Sequence, residues 1–145
     1  MGSRHQQRHL LRGGPEQEDA TTLKLGEEFA NAQCLYISEV RILLEAHVDS
    51  KENGSVTRQT TNVMQKTLEY VRAFSRFSNR DSVREVRQLL GKDDLAPFEM
   101  SQLANLCCED AEEAKALIPS LANKVEDDQL QEMLNQMLTI KKFQG

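Results

Sequence analysis

From Phe29 to Leu138 the apolar residues of this chain return every three or four positions and almost nowhere every second one. That spacing lines them along one face of a 3.6-residue helix, so the pattern predicts stacked helices and leaves little for a sheet. Phe29, Ala32, Tyr36, Val40, Leu43 and Leu44 outline a first long helix from Glu27 to about Val48. Leu35, Ile37 and Ile42 widen its apolar arc beyond one stripe, which calls for burial on more than one side and hence for a partner. Asp49 to Thr57 (DSKENGSVT) reads as a mobile loop. A second long helix runs from about Arg58 to Phe77, with Val63, Met64, Leu68, Val71, Phe74 and Phe77 on one face, and Ser78-Asn79 breaks it.

Shorter helices with explicit start and stop signals follow. Asp81 is positioned to cap a helix over Ser82–Gly91 that buries Val83, Val86, Leu89 and Leu90, with Gly91 ending it. Pro97 suits the first position of the next helix, whose inner face is Phe98, Leu103, Leu106 and Cys107. Asp110 and Glu113 make a D-x-x-E variant of the capping box for Ala111–Ile118, and Pro119 stops that helix. Glu126-Asp127-Asp128 set carboxylates at the positive end of a last helix carrying Leu130, Met133, Leu134, Met137 and Leu138. The expected fold is all-α: four short helices preceded by two long ones and by a short N-terminal strand-like segment.

That segment is Thr22-Leu23-Lys24-Leu25, which alternates polar and apolar before Gly26. Two readings fit it: a lone strand that joins a sheet in another chain, or an extended lead-in that packs Leu23 and Leu25 on its own helices. Residues 1–20 are polar and without period, a disordered tail. His5 and His9 in that tail are four apart but lack a third ligand, so no metal site is expected. The chain thus divides into a tail (1–20), a partner-binding segment with the first helix and its loop (21–57), and a helical module (58–145).

Composition removes other classes. With no Trp, three Pro and seven Gly, the chain is a poor β-sandwich or barrel. It has no run of about 18 apolar residues for a membrane helix, and its N-terminus lacks the apolar stretch of a signal peptide. Cys34, Cys107 and Cys108 are odd in number and show no C-x-x-C spacing, which points to a reducing compartment. The only histidine outside the tail is His47, so no oriented base stands ready for a Cys107 or Cys108 nucleophile. Paired carboxylates sit at helix starts, and no Gly-rich phosphate loop or metal-ligand spacing is present. Neither catalysis nor a cofactor is expected.

Charge is unevenly spread over a net −5: residues 58–92 carry +5 between a −6 block (15–57) and a −9 block (93–138). The blocks either orient the molecule on a charged partner or neutralise one another across the fold. Arg72, Arg76, Arg80, Arg84 and Arg87, interleaved with Tyr70, Phe74 and Phe77, form a candidate nucleic-acid set. Against it stand the acidic pI near 5.3 and the place of Phe74 and Phe77 on the apolar stripe.

The run Thr67-Leu68-Glu69-Tyr70 … Phe74-Ser75-Arg76-Phe77-Ser78-Asn79-Arg80, then Leu103-Ala104-Asn105-Leu106-Cys107 and Lys115-Ala116-Leu117-Ile118-Pro119-Ser120-Leu121, closely resembles the fourth-subunit family of eukaryotic RNA polymerase II. Phe29 … Ser38-Glu39-Val40 … Leu43-Leu44-Glu45 and the closing Phe143-Gln144 are similar to it as well. The likeness runs in order from Leu23 to Gln144, leaving out the tail and the 49–57 loop. It departs at Cys108, where a proline is expected, and at Gly145, where an aromatic is common.

The resemblance implies an HRDC-like helical domain over 58–145 and an N-terminal segment that embraces another subunit. It implies no catalytic residues and no membrane contact. The implied partners are the seventh polymerase subunit, which carries an oligonucleotide-binding fold, the polymerase core, and nascent RNA. The pair would form a stalk beside the RNA exit path, acting in initiation, clamp restraint and mRNA handling, in the nucleus and also the cytoplasm. Leu23, Leu25, Phe29, Leu35 and Tyr36 would then face the partner. The rival readings are a free-standing nucleic-acid-binding helical module, or the matching stalk subunit of another nuclear polymerase.

Overall fold

A computed structural model of the chain describes residues 17–53 and 61–145. Most of the expected tail, with His5 and His9, and the stretch from 54 to 60 lie outside the described residues. The chain divides into two compact units, one ending at Ala32 and the other running from Gln33 to Gly145.

In the first unit the strand-like segment is not extended. Ala20–Thr22 is a 3-10 turn closed by a single bridge between Asp19 and Lys24, with Leu23 in the left-handed region at φ 59°. The cause is local. The Asp19 carboxylate accepts from the Thr21 amide at 3.0 Å and from its hydroxyl at 2.6 Å, a turn geometry that competes with the strand. Two more turns, from Phe29 N–H to the Gly26 carbonyl and from Ala32 N–H to the Phe29 carbonyl, replace the helix expected from Glu27.

The second unit is helical: α1 (Ile37–Asn53), α2 (Asn62–Phe74), α3 (Arg80–Leu90), α4 (Pro97–Leu106), α5 (Ala111–Leu117), a 3-10 turn (Pro119–Leu121) and α6 (Asp127–Phe143). No strand occurs among the described residues, and the fold is all-α. Several boundaries differ from expectation. α1 begins at Ile37 because its first amides find acceptors there: Tyr36 N–H donates to Glu39 Oε1 at 2.8 Å and Ile37 N–H to Asn105 Oδ1 at 3.0 Å. It continues through Asn53, past the expected start of the loop, and packs with α2 and α3.

α2 is capped by Thr61 Oγ1 on Met64 N–H and stops at Phe74, so Phe77 belongs to a linker. Asn79, two residues before the expected Asp81, caps α3. Pro97 and Asp110 start α4 and α5 as anticipated, and α5 ends at Leu117, one residue before Ile118. α6 has 17 residues, as many as α1, so three short helices and one long one follow the linker.

α3 packs on α6, α5 on α6, α1 on α2 and on α3. Tyr36, Phe77, Val86, Leu90, Leu103, Ile118, Leu121, Leu130, Leu134 and Met137 fill the core they enclose. Burial of aliphatic and aromatic side chains on this scale, about 1.5–3 kcal/mol each, holds the helices together. Glu99 is also fully enclosed, and its carboxylate bonds the Ala96 amide, Ser120 Oγ and Lys124 Nζ. Leu106, expected on the inner face of α4, is instead 39% exposed, while Cys107 turns left-handed at φ 50° and buries its own side chain.

Candidate interaction surfaces

The Ser75–Asn79 linker is held from three sides. Ser38 Oγ, buried in α1, accepts from Arg76 N–H, from Phe77 N–H at 3.0 Å and from Ser75 Oγ at 3.0 Å. Arg41 of α1 donates to the Phe77 and Ser78 carbonyls. From beyond α6, the Gln144 amide accepts from Ser78 N–H at 2.7 Å and donates to the Arg76 carbonyl at 3.0 Å. This latch drives Phe77 into the core and leaves Phe74, at the end of α2, outside it.

Tyr36 lies beneath Arg87. The guanidinium carbon stands 4.3 Å from the ring centroid, while Arg87 Nε donates to Glu39 Oε2 at 2.8 Å and Nη2 to the Cys34 carbonyl. Burial pushes the Tyr36 phenol up to about 12, the Arg87 charge opposing and Glu39 adding to that rise. The hydrogen bond that Arg87 donates to Glu39 in turn holds the Arg87 proton more tightly. Tyr36, at 1% exposure, is therefore covered by its own chain and is not on the surface, contrary to its expected role toward a partner.

The other expected partner residues are accessible to different degrees. Phe29 is 61% exposed and Leu35 54%, whereas Leu23 and Leu25 are half-buried. The periodicity did not separate out a further surface. Val63, Tyr70 and Phe74 form an outward stripe along α2, beside the inward face of Leu68 and Val71. All three are more than half exposed, and the Tyr70 and Phe74 rings lie 4.7 Å apart. α2 thus has an apolar arc wider than the described residues cover.

The arginines do not gather into one basic face. Arg72 pairs with Glu45 at 2.8 Å, Arg76 donates to the Asn105 carbonyl, and Arg87 is held by Glu39. Arg80 and Arg84 are exposed and have no carboxylate partner among the described residues. Burial raises the thiols of Cys107 and Cys108, which makes them poor nucleophiles. Among the described residues no group of three or more His, Cys, Asp or Glu side chains is arranged to hold a metal. No helix there is long and apolar enough to cross a membrane.

The family model described as RNA polymerase Rpb4 matches residues 34–141. The chain belongs to the RNA polymerase Rpb4 family. It is 45% identical over 131 residues to DNA-directed RNA polymerase II subunit rpb4 of Schizosaccharomyces pombe, covering 88% of this chain and 95% of that one. It is 40% identical to DNA-directed RNA polymerase II subunit 4 of Arabidopsis thaliana, over 90% of this chain and 99% of the relative. The subunit rpb4 of Dictyostelium discoideum is 41% identical over 90% and 94%. The Rpb4 match runs from Cys34 to Lys141, so it takes in the Tyr36–Arg87 stack, the α2 stripe and the Ser38 and Arg41 arms of the latch, and leaves Leu23, Leu25 and Phe29 before it and Gln144 after it.

Proposed function

We propose that this chain is a non-catalytic subunit of nuclear RNA polymerase II that pairs with the seventh subunit, and that the pair forms the stalk beside the RNA exit path, serving initiation and mRNA handling. The observation that carries the reading is outward apolar surface on an Rpb4-family chain: Phe29, Leu35 and the α2 stripe of Val63, Tyr70 and Phe74, each more than half exposed. Aromatic and aliphatic side chains left exposed on a small protein mark a contact with another macromolecule. The relatives named as polymerase II subunits support reading that macromolecule as part of the polymerase. Leu23 and Leu25 extend the partner-facing set, and Tyr36 drops out of it.

Co-expression with the seventh subunit tests this. A 1:1 complex in gel filtration is expected, and Phe29→Asp should weaken it by about 2–4 kcal/mol, since a carboxylate would be desolvated without a partner. A monodisperse free chain that ignores the seventh subunit overturns the reading. Direct nucleic-acid binding through Arg72, Arg76, Arg80, Arg84 and Arg87 is the weaker alternative, because three of the five already serve internal partners.

A further inference from the structure

A groove of about 350 Å³ runs between α1 and α3. Leu35, Ile42, Leu43 and Val83 give it an apolar floor, and Arg80 and Arg84 line it beside them. Leu43 is 56% exposed, so the floor is wetted apolar surface rather than closed core. Arg80 and Arg84 are four apart on α3 and therefore point the same way, with side chains that meet no carboxylate among the described residues. Glu39 also lines the groove, but Arg87 neutralises it. The groove thus presents an aliphatic floor beside two uncompensated cations.

We propose that this groove docks an acidic amphipathic helix of a partner protein. Such a helix would set apolar side chains spaced three and four apart on Leu43 and Ile42, and would place carboxylates along its flank against Arg80 and Arg84. The volume suits a few side chains and not a folded domain. A peptide fits better than RNA because no aromatic ring lines the groove, and single-stranded nucleic acid gains most of its non-ionic affinity from stacking on aromatic rings. The site goes beyond the pairing proposed above, and Leu35 is the one residue the two surfaces share.

The test uses the full chain and three fluorescein-labelled probes in anisotropy titrations. The probes are a synthetic peptide of about five helical turns with Leu on one face and Glu on its flanks, a scrambled peptide of the same composition, and a single-stranded RNA. The patterned peptide is expected to bind roughly tenfold or more tightly than the scrambled one. Binding should fall roughly tenfold with Arg80→Gln/Arg84→Gln, together with a shallower salt dependence, while thermal melting stays unchanged. Leu43→Asp should abolish it.

Equal binding of both peptides, tighter binding of RNA, or no peptide binding overturns the proposal. So does a self-association of the chain that the arginine variant abolishes, since the groove would then hold a second copy. Repeating the titration on the complex with the seventh subunit separates the two surfaces. Retained peptide binding supports a second site, and its loss there overturns it, whereas the free-chain titration stands whether or not that complex forms.

Discussion

Burial of the Tyr36 phenol couples the stability of the helical unit to alkaline pH. The phenol rises from 10.0 to about 12 on folding, so between those values the unfolded chain has lost its proton while the folded chain keeps it. Stability is whole below pH 10 and falls as pH climbs toward 12, by ~2 kcal/mol over that window. Denaturant melts at pH 9 and at pH 11.5 should show the loss. The Tyr36 hydroxyl is buried and finds no hydrogen-bond partner among the described residues. Tyr36→Phe should therefore keep the stack under Arg87, hold stability within about 1 kcal/mol of the parent or raise it, and flatten the alkaline decline. Where the Tyr36 hydroxyl lacks a hydrogen-bond partner, the Glu99 carboxylate is satisfied three times over at zero exposure. Glu99→Ala should cost about 3 kcal/mol in chemical denaturation, from lost charged hydrogen bonds and a cavity where the enclosed side chain stood.

Between elements, the linker latch decides how α1, α2 and α3 meet. Ser38→Ala would leave the buried Phe77 amide without an acceptor, and about 2 kcal/mol should be lost in thermal or chemical melts. Hydrogen exchange should accelerate first at residues 75–79 rather than throughout the core. The elements themselves were largely legible from residue spacing. Pro97 at the head of α4, Asp110 capping Glu113 N–H, and the three carboxylates opening α6 all act where local chemistry puts them. The start of α1 was not legible, because one of its amide acceptors, Asn105, lies 68 residues away. Phe77 kept the helical period yet sits in a linker, since the Ser38 hydroxyl captures the backbone there. The same limit applies to the site. Val63, Met64, Tyr70, Val71 and Phe74 form one continuous arc, and spacing alone does not say which half the chain covers for itself. Likewise Arg72 and Arg87 looked free because Glu45 and Glu39 are 27 and 48 residues distant.

For the molecule as a whole, the charge blocks turn partly inward. Two arginines of the basic middle are paired to acids of the preceding block, and two lysines to acids within their own block. Long-range orientation on a charged partner is left to the residues that remain, Arg80 and Arg84 among them. The apolar α2 stripe is a different kind of exposure, and replacing it should separate folding from assembly. Tyr70→Ser with Phe74→Ser removes two rings already more than half exposed, so the melting of the free chain should shift by no more than about 0.5 kcal/mol and its solubility should rise. Capture by the immobilised seventh subunit should weaken, and unchanged capture would move the contact off α2. One practical consequence follows from where the two tyrosines lie. The chain has no Trp, so its ultraviolet emission comes from Tyr36, enclosed beneath a guanidinium, and Tyr70, open to water. Quenching by a dissolved small molecule would reach the second long before the first, giving an unlabelled protein one optical reporter for docking and another for unfolding.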